Sequence, residues 1–257
     1  MSREDRDQEL FDVIAKKYMR KDLVPASSFS RKQQLLTALK PLLGEAKSLG
    51  TIVDIGCGIG APAKYLDGHY LQYIGVDQSA EMVRVAELFN QSHSQASFVA
   101  DSVKNTQLKK NTADMILSIG ALHHMTELEI VMGNLVKIAK PDADFVVVEP
   151  QNANPIIQSM RWLRGKIDKG YSEEQIFFSE EELTNLFARH GVINLKISYQ
   201  GYLSTPFAQV IIPPQFITLP LSRLSIRIDK WLQNHLKWGL EKLSFNIIIT
   251  GKFKKEH

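Results

Sequence analysis

An α/β fold built around a parallel sheet is predicted by three features of the 257-residue sequence. Short β-branched runs alternate with amphipathic stretches between residues 51 and 149, the rhythm of strand–helix repeats. The first run leads into a glycine-rich turn, T51-I-V-D-I-G-C-G-I-G-A61, the place where such sheets bring backbone close to a nucleotide-type cofactor. Capping residues and helix stops fall at the joints between runs.

The elements follow in order. Residues 51–55 form a first strand and 72–77 a second. Ser79 is a plausible N-cap for the helix after it, whose Met82, Val83 and Ala86 face the sheet. Residues 97–101 make a short third strand and 113–120 a fourth. T126-E-L-E129 reads as a capping box opening a helix with Leu128, Val131, Met132, Leu135 and Ile138 on one side. Pro141 is expected to end that helix, and 143–149 to form a buried fifth strand. S179-E-E-E182 is a second capping box, leading a helix through Leu183, Leu186 and Phe187 to a stop at His190-Gly191. Residues 192–199 and 244–253 read as the last two strands. Ahead of the sheet, helices through 10–18 and 31–39 are joined by a turn-like V24-P-A-S-S28. A single domain over 1–257 is expected: an N-terminal helical region (1–48), a cofactor-binding core (49–150), and a C-terminal half (151–257) carrying an insertion at about 201–243.

Composition narrows the partners. With 44% hydrophobic and 23% charged residues the chain can bury one large core. Net charge is only +3, without a block of like charges, so no nucleic-acid partner is expected. Cys57 is the sole cysteine, which excludes an internal disulfide and a multi-cysteine zinc cluster. The first ten residues are polar and charged, unlike a secretory signal, and the expected location is cytoplasmic. Residues 197–222 carry no charge, yet Pro206, Pro213, Pro214 and Pro220 argue against a membrane span.

The glycine cluster alone leaves the ligand open, since Gly56-Cys57-Gly58-Ile59-Gly60-Ala61 also satisfies a dinucleotide pattern. Asp54 separates the readings. A carboxylate beside the turn repels a pyrophosphate and favours a cationic ligand. With Asp54, the stretch resembles motif I of the class I S-adenosylmethionine (SAM)-dependent methyltransferases, an acidic residue followed by G-x-G-x-G. The resemblance runs over roughly residues 51–150. It implies a Rossmann-like seven-stranded, mostly parallel sheet with helices on both faces, an antiparallel last strand, N-terminal helices and a cap-like insertion before that strand. It also implies SAM as cofactor, held at Asp54, Gly56, Cys57, Gly58 and Gly60. Asp77 would take the ribose hydroxyls, with Gln78 and Met82 beside it, and Asp101 and Ser102 the adenine. Ser118, Ile119 and Gly120 would meet the methionine part through backbone, with His123 of the A121-L-H-H-M125 stretch lining the same pocket. Residues 10–18 are similar to the opening helix of the ubiquinone/menaquinone-type members, which makes Tyr18 a candidate lid residue.

Methyl transfer from a sulfonium is an in-line displacement, so alignment is essential and a base optional. His123, His124 and Glu149 are the catalytic candidates; the competing reading gives one histidine to the pocket wall, the other to loop support, and Glu149 to a solvated strand end. No metal is expected, because adjacent histidines lack a third ligand and Ser118 and Gly120 offer no carboxylate. Cys57 reads as a small side chain rather than a nucleophile. Tyr202, Phe207, Ile211, Ile212 and Phe216 are expected to wall an apolar acceptor cavity, with Trp231, Trp238 and the basic Arg223, Arg227 and Lys230 available for membrane contact, a dimer contact or plain core packing. The function expected is methyl transfer to a small, lipophilic acceptor by a monomer or homodimer. Competing readings are a catalytically silent SAM-binding partner subunit, an RNA methyltransferase, and an NAD(P)-dependent dehydrogenase.

Overall fold

The computed structural model describes residues 3–44, 48–152, 154–155, 158–159, 178–235 and 239–254. Its centre is a seven-stranded sheet in the order β3-β2-β1-β4-β5-β7-β6. The strands are β1 (Thr51–Ile55), β2 (Gln72–Asp77), β3 (Ala96–Ala100), β4 (Ala113–Ile119), β5 (Ala139–Pro150), β6 (Val192–Gln200) and β7 (Asn246–Phe253). The first five run parallel, and β7 lies antiparallel between β5 and β6. That is the arrangement the resemblance implies.

The helices are α1 (Arg3–Leu23), α2 (Pro25–Ala38), α3 (Lys40–Leu43), α4 (Ala61–Tyr65), α5 (Ala80–Phe89), α6 (Leu128–Ile138), α7 (Glu180–Arg189), α8 (Thr205–Gln209) and α9 (Gln215–His235). They cover both faces. On one, Phe145 of β5 packs edge-on against Phe187 of α7 and Phe253 of β7, with ring centroids 4.8 and 5.3 Å apart. On the other, Leu39, Leu66, Tyr73 and Met82 are buried together beneath α1, α2 and α5. Strand β1 serves both faces: Val53 and Ile55 join the first core and Ile52 the second, as expected of a strand covered on both sides.

Three joints differ from the sequence reading. Residues 25–28 are no turn: Pro25 stands at the first position of α2, where its missing N–H is harmless and its fixed φ is preorganised. T126-E-L-E129 forms no capping box. Helix α6 opens at Leu128 on Glu127, whose left-handed φ of 52° is incompatible with an extended cap, and Lys104 Nζ reaches Thr126 Oγ1 (3.2 Å) and Glu127 Oε2 (2.7 Å) instead. Pro141 lies inside β5. Ala113 faces Ala139 but Met115 faces Asp144, so residues 140–143 bulge out of the ladder, where a proline breaks no pairing.

The insertion departs most. Phe216 is 79% exposed, Ile211 and Ile212 are also exposed, and Tyr202 and Phe207 are half-buried, so these five do not enclose an apolar cavity. The buried face of α9 is largely polar instead: Thr218, Ser222, Ser225 and Asp229 turn inward beside Ile226. Ser222 Oγ meets Ser30 Oγ of α2 at 2.7 Å, and Asp229 accepts from Leu203 N–H (2.7 Å) and Ser204 N–H (3.1 Å). Trp238 lies outside the described residues. No described helix is long and apolar enough to cross a membrane.

Candidate active site

Strand order reverses between β1 and β4, and in open α/β sheets ligands sit past the carboxyl ends of the strands at such a point. After β1 the chain enters the glycine turn, where Gly56, Gly58 and Gly60 have φ of 67°, 53° and 66°, conformations that other residues resist. Their surroundings differ. A Cβ on Gly56 would meet Ala121 Cβ at 2.4 Å and one on Gly60 would meet Phe98 Cε1 at 2.3 Å, whereas nothing lies within 4 Å of one on Gly58. Gly56 and Gly60 therefore allow close packing, while Gly58 leaves an open cradle.

Asp77, at the end of β2, closes back onto this turn. Its Oδ2 accepts from Gly58 N–H at 2.8 Å and its Oδ1 from Ser79 N–H at 3.0 Å. Burial raises its carboxyl pKa, and those two backbone donors oppose the rise. Ser79 caps α5 by accepting from Met82 N–H at 3.0 Å, and its hydroxyl is also bonded to Asp12 of α1. Gln78 is half-buried beside Asp77, and Met82 is buried. Asp101 N–H donates to the Asp77 carbonyl at 3.0 Å, bringing Asp101 to the same rim, where its Oδ2 accepts from Gln107 N–H at 3.0 Å. Ser102 follows, leading into the short helical turn Val103–Asn105.

Asp54 lies beside the turn as expected, but it is not a simple fixed charge. It is 1% exposed beneath the turn, and the Tyr73 hydroxyl donates to its Oδ2. Burial pushes its carboxyl up to about 7, the Tyr73 hydrogen bond opposes this, and the Asp77 charge adds to it. It carries charge at neutral pH only in part, and a cation placed nearby would draw the proton off. Cys57 is buried next to it, its thiol pushed up by burial and then by the Asp77 and Asp54 charges, which makes it a poor nucleophile.

The opposite rim comes from β4 and β5. Ser118 is buried, and its Oγ has no hydrogen-bond partner among the described residues. Ile119 ends the strand, and Gly120, at φ 60°, donates its N–H to the Val148 carbonyl at 2.7 Å. Glu149 is no solvated strand end: it is 1% exposed and gathers the loop after β4. Its Oε1 accepts from Ala121 N–H (3.0 Å) and Leu122 N–H (2.8 Å), and its Oε2 lies 2.7 Å from His123 Nδ1. A proton on Nδ1 suits the Glu149 carboxylate, and in the neutral ring that assignment leaves the lone pair on Nε2, the tautomer a base requires. The His124 ring lies 4.1 Å from that of His123 and its Nδ1 is 3.2 Å from Asp7 Oδ2 of α1; burial lowers its pKa and favours the neutral ring.

Helix α1 thus ties the two rims together, through Asp12 to Ser79 and through Asp7 and Phe11 to His124, the Phe11 ring meeting that histidine edge-on at 5.1 Å. Tyr18 is on the same helix, half-buried, edge-on to Phe11 at 6.2 Å and with Lys21 Nζ 4.4 Å above its ring. The sequence carries no local signal for Asp7 or Asp12, whose partners lie 117 and 67 residues away. Among the described residues no group of three or more side chains is placed to hold a metal ion.

The strand-order reversal between β1 and β4, an acidic residue at the end of the second strand, and β7 antiparallel beside β5 define a Rossmann-like methyltransferase fold. Comparison with known proteins agrees. Residues 53–147 match a family described as a methyltransferase domain. Norajmaline N-methyltransferase of Rauvolfia serpentina is 25% identical over 122 residues, 45% of this chain and 42% of that protein. Sterol 24-C-methyltransferase of Kluyveromyces lactis is 30% identical over 102 residues, 38% of this chain and 28% of that protein. The match thus spans less than half the length of either relative. The crystal structure of a SAM-dependent methyltransferase from Thermotoga maritima superposes with a TM-score of 0.66 at 20% identity, covering 96% of this chain and 99% of that one. The resemblance to class I SAM-dependent methyltransferases holds in fold and in domain match.

Proposed function

We propose that this chain is a SAM-dependent methyltransferase acting on a small, lipophilic acceptor. The observation that carries the reading is the pairing of the open cradle at Gly58 with Asp77, whose carboxylate fixes the turn through Gly58 N–H. The residues suit the cofactor. Asp77 and Asp101 are acceptors for a vicinal diol and an amino group. Gly58 gives backbone access without a side chain, Asp54 is a buried carboxyl below the turn that a nearby cation would ionise, and Ser118 Oγ, without a partner among the described residues, is a polar atom in want of a bond. When bound, SAM supplies an electrophilic methyl group. The chain's own work is to hold both reactants in line and keep water out, and α1, bridging the two rims, suits that covering role. His123, oriented by Glu149, is placed to accept a proton if the acceptor must lose one, and the His124 ring packs against it.

A lipophilic acceptor is supported by the sterol enzyme among the relatives. Incubating the protein with methyl-labelled SAM and fractions of cell extract tests the reading. Label should enter an organic-soluble small-molecule fraction. Label confined to RNA would replace the acceptor class, and cofactor binding with no labelled product in any fraction would favour a silent partner subunit.

A further inference from the structure

Helix α9 is amphipathic the wrong way round for a helix packed on a protein core. Its inward face is mostly polar, with Ile226 as its one buried aliphatic side chain among the described residues, while Ile217, Leu221, Leu224 and Trp231, spaced three, four or seven residues apart along one side, are 49%, 47%, 51% and 58% exposed. The segment leading into it continues the apolar surface, with Val210 56% and Phe216 79% exposed. Scattered exposed hydrophobics need no explanation, but a continuous stripe along about four turns of helix does.

Charge identifies what covers it. Arg223, Arg227 and Lys230 form an exposed basic row flanking the stripe. The only acidic residue between positions 197 and 240 is Asp229, which is buried and occupied by the Leu203 and Ser204 amides. The outward surface of this segment is therefore apolar and cationic without a compensating carboxylate. A second copy of the chain would bring another cationic stripe against it, which like charges disfavour. An apolar stripe edged by arginine and lysine is the pattern of a helix lying in the plane of a lipid interface, its hydrocarbon side at the acyl boundary and its cations on anionic head groups.

We propose that α9 and the segment before it dock this protein on the surface of a membrane containing anionic lipid. Docking of this kind brings the protein to a phase in which a lipophilic acceptor is concentrated. The proposal does not depend on methyl transfer, since vesicle binding is read without catalysis.

The test is flotation of the full chain with vesicles of phosphatidylcholine alone and of phosphatidylcholine with phosphatidylserine. The protein should float with the anionic vesicles only, and less so as salt is raised. Arg223→Gln with Arg227→Gln should weaken partitioning by roughly 25-fold, about fivefold per cation. Leu221→Gln with Leu224→Gln should reduce it at least as much, both variants keeping wild-type circular dichroism and S-adenosylhomocysteine affinity. Absence of the wild type from every vesicle fraction would overturn the proposal. So would binding that neither pair of substitutions changes, or light scattering showing a dimer that Leu221→Gln with Leu224→Gln dissociates.

Discussion

Replacing Gly58 and Gly60 by alanine separates the cradle from the packing around it. Both positions are left-handed, so each substitution costs about 1–2 kcal/mol in backbone strain. For Gly58 that is the whole cost, because the new Cβ meets nothing within 4 Å. At Gly60 the Cβ also lands 2.3 Å from Phe98 Cε1 and 2.9 Å from Asn90 Nδ2, and overpacking adds roughly 1–3 kcal/mol. Gly60→Ala should therefore lose about 2–5 kcal/mol and Gly58→Ala only ~1–2 kcal/mol, read as midpoint shifts at unchanged slope in urea unfolding. Cofactor affinity should rank the other way. A methyl group in the space that Gly58 leaves open displaces the ligand backing onto it, an overpacking of about 1–3 kcal/mol, or roughly 5- to 150-fold in the affinity for S-adenosylhomocysteine. A Gly58→Ala protein that binds with wild-type affinity, measured by calorimetry on a sample confirmed as folded, would refute the cradle.

Three further outcomes follow from the same geometry. Glu149→Ala strips the acceptor from three donors, two of them backbone amides, and should cost ~3–5 kcal/mol in urea unfolding after partial rescue by water. Glu149→Gln keeps an oxygen for the amides but turns an NH2 toward His123 Nδ1, so nitrogen NMR should find the ring proton moved to Nε2 and turnover reduced if that nitrogen is the base. The Asp54 carboxyl, raised from 3.8 to about 7, contributes stability that is full below pH 3.8, is lost as pH rises toward 7, and changes no further above it. The swing is on the order of 4 kcal/mol, and Asp54→Asn should flatten the unfolding midpoint across that window.

Much of the fold was legible because its signals are local. Strands β1 and β2 begin and end where their β-branched runs do, and Ser79 and Ser179 cap their helices through bonds to residues three positions on. The glycine turn and Asp77 were legible for the same reason, since a strand–turn–helix unit and a strand end suffice to place them. Pro141 and Thr126 misled because each local rule was overridden, by a bulge set by the β4 register and by the left-handed Glu127. Asp7 and Asp12 were invisible because their bonds close across the whole cofactor side of the molecule. Asp54 was placed correctly in the chain but its charge was misjudged, as burial under the turn is a tertiary fact. The insertion misled for a related reason: its aromatic and aliphatic residues suggested a cavity wall, whereas Ser222 of α9 turns inward by bonding to Ser30 and Ala26 of α2.

The central claim, that this site binds the methyl donor, is tested most directly by calorimetric titration of the wild-type chain and of Asp77→Ala with S-adenosylhomocysteine. Saturable one-site binding is predicted for the wild type. Loss of a charged hydrogen-bond acceptor should weaken it by about 1.5–3 kcal/mol, roughly 10- to 150-fold, in the variant. Absence of binding by the folded wild type, or saturable binding of NAD(H) in its place, would contradict the account.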